Sequence, residues 1–217
     1  MTEKPILYCS GPLFCPEEKL GMEAVAKTLE SAGYQTFLPQ RDGLEPFVMG
    51  LANDPRVTNK AFRQINSLVH RAIFAVDIYQ VAVRCSGLVF NMNGRVPDEG
   101  AVAEAAVAFA AGKPVILYKC DDRSLFNGYD NSMLLGLSGD FSTVKSLTAI
   151  PAQFEKIKAQ IESRGGASYK KNMPPFMKDT VAFGQKVWSF LCTTKFFEAP
   201  ASEIPARLKE IAEFCRQ

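Results

Sequence analysis

The sequence predicts an α/β protein built on a doubly wound parallel sheet. Short apolar runs of strand length alternate along the chain with segments whose apolar residues have helical spacing, which indicates strand–helix–strand units. The predicted strands end in polar, glycine and aspartate residues, as expected where ligands bind at the carboxyl ends of parallel strands. With 217 residues, of which 47% are hydrophobic and 22% charged, the chain can fill one such domain and additional helices.

The first part of the chain contributes two predicted strands and two predicted helices. Pro5–Ser10 is an apolar run that ends at a Gly-Pro turn and predicts a buried strand. Pro16–Ala32 has apolar residues at helical spacing and is followed by a glycine that stops the helix. Thr36–Leu38 predicts the second strand. The polar, turn-rich stretch Asp42–Arg56 then separates it from a long predicted helix at Asn59–Val83.

The middle of the chain continues the same alternation. Gly87–Asn91 and Pro114–Tyr118 predict the third and fourth strands, and an alanine-rich helix lies between them. A loop rich in Asp, Asn and Gly runs from Cys120 to Gly139, and Thr143–Leu147 predicts a fifth strand. We therefore expect a flavodoxin-like, five-stranded parallel sheet with helices on both faces.

Beyond residue 150 the alternation of strands and helices gives way to helices alone. The predicted helices there are Ala152–Ser163, Phe176–Phe197 and Ser202–Arg216, with a linker at Gly165–Pro175. We expect residues 1–150 to form the α/β domain and residues 151–217 to form a helical extension packed on it.

Composition and charge argue against several classes of function. The formal net charge of +2 gives no reason to expect a nucleic-acid or anionic-membrane partner. No apolar run could span a bilayer and the start of the chain lacks a signal-peptide core, so we expect a cytoplasmic protein. Six cysteines without a CxxC pair fit reduced thiols. With His70 as the single histidine, we expect neither an imidazole metal site nor a Ser-His or Cys-His triad, and we also expect no cofactor.

Glu104 is out of place for a structural residue. Every other residue from Ala101 to Ala111 is Ala, Val or Phe, so a helix there gives this carboxylate no polar face to join. A buried carboxylate is costly unless something pairs with it or uses it, although the nearby helix start favours an anion. Asp98 lies six residues earlier, in the loop that leads into the helix. The pair suggests chemistry; the alternative is a Glu104 side chain that extends out to solvent.

Five sequence segments follow one another between Ile6 and Met133. They are I-L-Y-C-S-G-P-L-F, L-P-Q-R-D-G, V-D-I-Y-Q-V-A-V-R-C-S-G-L-V-F-N-M-N-G, D-E-G-A-V-A-E-A-A-V-A-F-A-A-G-K-P-V-I and N-S-M. Together they resemble the nucleoside 2-deoxyribosyltransferase family, and its protozoan-type members in particular. The chain departs from the family pattern at Ala101, where a hydroxyl residue is common, and at Ala105, where a glycine is common.

The resemblance implies an enzyme of nucleoside salvage. It would replace the base of a 2'-deoxynucleoside with another base through a covalent deoxyribosyl-enzyme intermediate, so its partners would be deoxynucleosides and free nucleobases. By resemblance Glu104 is the nucleophile, Asp77 holds and protonates the departing base, and Asp98 orders the sugar hydroxyls. Tyr8 would contact Glu104 and sense the 2' position. The active unit would be a homodimer or larger homo-oligomer with shared sites.

The resemblance also implies a set of substrate-binding residues. They are Gly11, Gln40, Arg41, Asp42, Asn93, Gly94, Gly100, Asn131 and Met133. In this set Gln40, Arg41 and Asp42 line the base pocket, and Asn131 reaches the sugar bound by a partner subunit.

Several of these residues also have structural interpretations. Asp77 could be a helix-surface acid paired with a neighbouring arginine, and Asp98 could be a helix N-cap. Tyr8 could be an ordinary core tyrosine, and Asn131 an ordinary turn residue. Arg41 could form a surface ion pair with the aspartate that follows it.

Three alternative functions stay open on the sequence. Water could intercept the same intermediate, giving an N-glycosidase of 2'-deoxynucleosides or of their 5'-monophosphates. Monophosphate hydrolases need a phosphate-binding cluster at the first turn, and here Ser10 has no basic residue near it until Lys19, which favours free nucleosides. The second alternative is a catalytically silent nucleoside-binding protein, and the third is a flavodoxin-like cofactor binder.

Overall fold

The computed structural model describes residues 4–52, 59–94, 96–123, 130–166 and 172–215. They fall into two compact units. The first comprises Met1–Leu38 and Gln80–Met173, and the second comprises Pro39–Tyr79 and Pro174–Gln217. The segment predicted to form one C-terminal extension is therefore shared between the units, and its first helix belongs to the unit that holds the sheet.

The first unit is built on a parallel four-stranded sheet. Its strands are β1 (Ile6–Ser10), β2 (Gln35–Phe37), β3 (Gly87–Asn91) and β4 (Val115–Tyr118), in the spatial order β2-β1-β3-β4. All three neighbouring pairs are parallel, and in the register Tyr8 lies opposite both Phe37 and Leu88. The prediction of an α/β fold with a parallel sheet is confirmed, and each of these four strands lies within a residue or two of its predicted position.

The predicted fifth strand does not form in the described residues. In the described residues Thr143–Leu147 contributes only Val144, which forms an isolated parallel bridge to Tyr118. Val144 donates to Leu117 O at 2.7 Å and accepts from Lys119 N at 2.9 Å, and a 3₁₀ turn then begins at Leu147. Because the chain turns into a helix directly afterwards, no ladder can extend from that single bridge.

The helices account for most of the remaining described chain. In chain order they are α1 (Pro16–Ser31), α2 (Pro39–Asp42), α3 (Glu45–Ala52), α4 (Asn59–Tyr79), α5 (Glu99–Ala110), α6 (Ser132–Gly136), α7 (Ile150–Ser163), α8 (Pro175–Thr193) and α9 (Ile204–Phe214). The last turn of the helix predicted at Asn59–Val83 is π-helical, at Gln80–Arg84. No helix in the described residues is long and apolar enough to cross a membrane.

Three of these helices lie where the sequence predicted loops. The short helix α2 occupies the predicted P-Q-R-D-G loop, and α3 lies inside the predicted turn-rich stretch. The segment E-P-F-V-M-G-L-A of α3 is apolar with a proline near its start, where a helix tolerates one, but polar neighbours on both sides concealed this pattern. In the predicted loop after β4, Asn131 caps the short helix α6.

Alternation along the strands gives the sheet two different faces. Leu7 and Cys9 of β1 join Val89 and Ile116 in a core cluster with residues of α1 and α7. Tyr8 and Ser10 alternate with Leu7 and Cys9 along β1, so their side chains point to the opposite face, where α5 packs. This arrangement decides which β1 side chains can reach α5.

The second unit is helical, and α4 makes its most extensive contacts with α8. Its buried residues include Val69, Ala72, Ala75, Val76 and Ile78 on α4, Val187 and Leu191 on α8, and Leu208, Ile211 and Ala212 on α9. At the crossing of α4 and α8 a Cβ on Gly184 would lie 1.9 Å from Ala75 O and 2.9 Å from Tyr79 Cβ. The two helix backbones therefore approach closely because position 184 has no side chain.

We predict that Gly184→Ala destabilises the second unit. The added methyl group overlaps backbone atoms, which cannot move as a flexible side chain can, so we expect a loss of about 1–3 kcal/mol or more in unfolding free energy. Gly21→Ala is the matched control, because Gly21 also lies within a helix and its nearest atom to an added Cβ is 3.5 Å away. There we expect a gain of up to about 1 kcal/mol.

The measurement is urea unfolding followed by circular dichroism and by fluorescence of Trp188, which lies on α8 one turn from Gly184. An unfolding midpoint for Gly184→Ala at or above that of the wild type would contradict the close crossing of α4 and α8.

Candidate active site at the carboxyl edge of the sheet

Glu104 is held by two hydroxyl groups of the central strand β1. Tyr8 donates its phenolic hydrogen to Glu104 Oε1 at 2.7 Å, and Ser10 donates to Oε2 at 2.5 Å. Because Tyr8 and Ser10 are two residues apart on one strand, both side chains point to the same face of the sheet. The predicted contact between Tyr8 and Glu104 is present, and each carboxylate oxygen receives a separate donor.

Packing fixes the position of the Tyr8 hydroxyl. The tyrosine is fully buried, and its ring stacks on that of Phe37 with a centroid separation of 5.3 Å and an interplanar angle of 27°. Strand β1 is itself hydrogen-bonded on both sides, to β2 and to β3. The donor therefore has little freedom to move away from the carboxylate.

The start of α5 determines where Glu104 lies. Asp98 is the N-cap, and its Oδ1 accepts a hydrogen bond from Ala101 N at 2.8 Å, so the structural interpretation of this aspartate as a cap is confirmed. Ala101, Ala105 and Ala108 form the buried face of the helix. Their small side chains let α5 lie close to the sheet, and they leave Glu104 as the one acidic side chain beside this alanine face.

Burial raises the pKa of the Glu104 carboxyl from its ordinary value of 4.5 to about 7. The hydrogen bonds from Ser10 and Tyr8 favour the ionised form and lower this pKa, whereas the negative charge of Asp98 raises it. The helix start alone led us to expect a carboxylate kept ionised, but loss of hydration outweighs that preference. Near neutral pH the group can therefore exchange its proton readily, as catalytic acids and bases do.

Three predicted binding residues shape the loops around this edge. A Cβ on Gly11 would lie 2.6 Å from Met22 Sδ and 3.0 Å from Asn91 Cβ, so only glycine lets the turn after β1 pass so close to β3. Asn93 Oδ1 accepts from Cys120 N at 2.8 Å, and Gly94 N donates to Asp121 Oδ2 at 2.7 Å. The loops after β3 and β4 are thereby fastened together.

Asn131 and Met133 lie on the short helix α6 of the same unit. Asn131 Oδ1 caps the helix by accepting from Met133 N at 2.9 Å, while the Met133 side chain is 80% exposed. A buried ion pair between Lys119 and Asp130 anchors the chain immediately before this turn. Asn131 is therefore a helix N-cap, and its proposed reach into a partner's site stays a prediction.

Four of the remaining predicted site residues belong to the second unit. Asp77 lies near the end of α4 with its side chain partly buried. Gln40, Arg41 and Asp42 form most of α2, where Arg41 makes a two-point ion pair with Asp42 through Nε and Nη2, both at 2.9 Å. Gly100 is in the first unit, on the first turn of α5, where an added Cβ would lie 3.2 Å from Asp98 Oδ1.

Ser10 is a site residue that the sequence analysis did not include. Only its neighbourhood had been considered, as a turn in which phosphate could bind. Strand alternation contains the signal that would have identified it, because a residue two positions after Tyr8 shares its face of β1. In the described residues no group of three His, Cys, Asp or Glu side chains is arranged to hold a metal ion.

The family model for nucleoside 2-deoxyribosyltransferase matches residues 7–168. No curated protein matches the chain. Among solved structures, a conserved protein from Enterococcus faecalis V583 is 19% identical with a TM-score of 0.47, covering 70% of this chain and 98% of its own. A 2-desoxiribosyltransferase from Leishmania mexicana is 17% identical with a TM-score of 0.42, covering 70% and 97%.

We predict that Glu104→Gln stabilises the protein at alkaline pH. The folded-state pKa of Glu104 is raised, so its contribution to stability is full below pH 4.5 and is lost as the pH rises through about 7. A shift from 4.5 to about 7 corresponds to about 3 kcal/mol. A neutral glutamine keeps the shape without that loss: its Oε1 accepts from one hydroxyl, and its NH2 group donates to the other.

Unfolding free energies of the wild type and the variant at about pH 4.5 and about pH 8.5 test this expectation. The advantage of the variant should grow with pH, whereas Glu99→Gln, at an exposed position of the same helix, should show no such growth. An identical pH dependence in the wild type and Glu104→Gln would show that the carboxyl is not desolvated.

Proposed function

The chain belongs to the nucleoside 2-deoxyribosyltransferase family of glycosyltransferase-type enzymes, and we propose that it exchanges the base of a 2'-deoxynucleoside through a covalent deoxyribosyl–Glu104 intermediate. The observation that carries the proposal is the Glu104 carboxylate, held by Tyr8 and Ser10 beside the carboxyl ends of parallel strands. Ligands of this fold class bind at that edge. The reaction would serve nucleoside salvage in the cytoplasm.

The first half of the proposed reaction forms the intermediate. A Glu104 carboxylate oxygen attacks C1' of the deoxyribose, and the bond between C1' and the base nitrogen breaks with its electron pair on the base. The departing base takes up one proton, for which Asp77 is the proposed donor. The products of this step are a free base and a deoxyribosyl ester of Glu104.

The second half reverses these events with a different base. A nitrogen of the incoming base attacks C1', the ester bond breaks, and its electron pair returns to the carboxylate of Glu104. The incoming base gives up a proton to Asp77, which restores the acid for the next cycle. Two successive inversions at C1' leave the configuration of the nucleoside unchanged.

The environment of Glu104 supports a role as nucleophile. A carboxylate with a pKa of about 7 is more basic than an ordinary glutamate, and at neutral pH a large fraction is still ionised. Its hydrogen bonds come from buried, rigid positions on β1, so little reorganisation is needed when charge moves from the oxygen to C1'. Both properties are useful in an attacking group and serve no purpose in a structural one.

The other site residues take the roles that the family resemblance gives them. Asp98 would order the sugar hydroxyls while capping α5, and Tyr8 would sense the 2' position. The backbone at Gly11, Asn93, Gly94 and Gly100 would line the sugar side, and Gln40, Arg41 and Asp42 the base side. Asn131 and Met133 would complete the site of a second copy of the chain, which makes the proposed active form a homo-oligomer.

Ser10 favours free nucleosides over 5'-monophosphates as substrates. Its side chain is fully buried, and its hydroxyl hydrogen is donated to Glu104 Oε2. The serine at the first turn is therefore engaged with the carboxylate and does not face outward toward a phosphate group.

We predict base exchange when the purified protein is incubated with deoxyinosine and adenine. Chromatography should show deoxyadenosine and hypoxanthine in equal amounts, because each turnover releases one base and captures the other. Hypoxanthine with free deoxyribose would instead identify a hydrolase. If neither the nucleoside nor its 5'-monophosphate gives a product, the conclusion is that the protein binds nucleosides without catalysis.

The same assay tests the nucleophile. Glu104→Ala should lower the exchange rate by at least about a thousand-fold because it removes the group that forms the intermediate. Glu99→Ala changes an exposed glutamate of the same helix and should retain the wild-type rate. Substrate binding by Glu104→Ala, measured by calorimetry, should survive. Exchange that persists in this variant would refute the covalent mechanism.

We predict that Asp98→Asn moves the acid limb of the pH–rate profile to lower pH. In the wild type this limb should lie near 7, where Glu104 ionises. Asparagine caps a helix as well as aspartate does, so α5 should begin unchanged while the negative charge that raises the pKa of Glu104 is removed. The profile of kcat/KM between about pH 5 and 9 is the measurement. A limb that stays in place or moves upward would contradict this electrostatic coupling.

A further inference from the structure

The Ser10 hydroxyl is the second of the two donors that hold the Glu104 carboxylate. It lies 2.5 Å from Glu104 Oε2, whereas Tyr8 is bonded to the other oxygen, Oε1. A single hydrogen bond would let the carboxylate pivot about the bonded oxygen. Two bonds to two oxygens, both from one strand, hold the plane of the group in a single orientation.

We propose that Ser10 is a positioning residue for Glu104: with Tyr8 it fixes the plane of the carboxylate, and it favours the charged form of the group. The inference rests on the proposed role of Glu104 as nucleophile. Attack at C1' requires an oxygen lone pair aimed along the line of the breaking bond, so the orientation of the carboxylate plane affects the rate directly. Ser10 therefore acts through Glu104 and needs no contact of its own with the substrate.

The location of Ser10 suits this task. It is the last residue of β1, fully buried, and paired in register with Phe90 of β3. Its backbone is therefore fixed by the sheet, and its short side chain has only one torsion angle to set. A donor mounted in this way is already in place before the substrate arrives.

Hydrogen bonding by Ser10 also opposes the effects that favour a protonated Glu104. Burial is the strongest of these, and the Asp98 charge at the start of α5 adds to it. Tyr8 and Ser10, both on β1, act in the other direction. Loss of the Ser10 hydroxyl would leave Tyr8 alone against both, so fewer molecules would carry the charged nucleophile at neutral pH.

The test is a carboxyl ¹³C NMR titration of protein labelled in its glutamate side chains, with the Glu104 signal assigned from its absence in Glu104→Gln. In Ser10→Ala we expect the Glu104 titration midpoint to rise by about one pH unit, since a hydrogen bond to a charged group is lost. Ser138→Ala is the matched control. Ser138 is equally buried, but its hydroxyl donates to Leu135 O.

Exchange kinetics supply the second readout. For Ser10→Ala we expect kcat to fall about ten-fold at pH 6 and less at pH 9, with KM nearly unchanged, because a shift of one unit changes the charged fraction most on the acid side. Ser10→Cys keeps a side chain of similar size but donates a weaker hydrogen bond, so its kcat should lie between those of Ser10→Ala and the wild type. This variant replaces Ser10→Ala in the test if Ser10→Ala does not fold.

The outcomes separate this inference from the proposed function. A Glu104 midpoint in Ser10→Ala equal to that in Ser138→Ala would overturn the role of Ser10, even if the wild type exchanges bases. A wild type without exchange activity would overturn the proposed function, and the NMR titration would still decide whether Ser10 controls the charge of Glu104.

Discussion

The first unit is organised around the hydrogen bonds that fasten one glutamate of α5 to the central strand β1. Tyr8 and Ser10 can reach Glu104 only because they alternate with the core residues Leu7 and Cys9 on that strand. The alanine face of α5 brings the helix close enough to the sheet, and the Asp98 cap fixes where the helix begins. A change in any of these would move the carboxylate away from its donors, so packing and chemistry are parts of one arrangement.

Several effects of opposite sign set the protonation state of the Glu104 carboxyl group. Burial and the charge of Asp98 favour the neutral acid, whereas the two hydroxyl donors favour the anion, and the pKa of about 7 is the balance. At neutral pH the fold therefore carries a partly buried carboxyl group that it would hold more easily without charge. Active sites commonly lower the stability of the fold that contains them.

The sequence predicted those features that depend on local pattern. Four strands and most long helices followed from apolar runs and helical spacing, and Glu104 was identified because it interrupts an apolar helix. Features that depend on tertiary context were missed. Val144 has the composition of a strand residue, yet only one bridge forms there. The helix α3 was hidden between polar neighbours, and Ser10 became meaningful only when the partner of its hydroxyl was known. The roles of Asp77 and of Gln40, Arg41 and Asp42 rest on family resemblance, since no local pattern assigns them.

The fastening of the loops after β3 and β4 has a consequence for motion. Asn93 Oδ1 accepts from the backbone of Cys120 and of Asp121, and Asp121 in return accepts from Gly94 N. Neither loop can swing outward alone without breaking all three hydrogen bonds. The starts of the two loops are therefore tied to each other, and a displacement of one is passed on to the other. A substitution at Asn93 would loosen the far loop as much as its own.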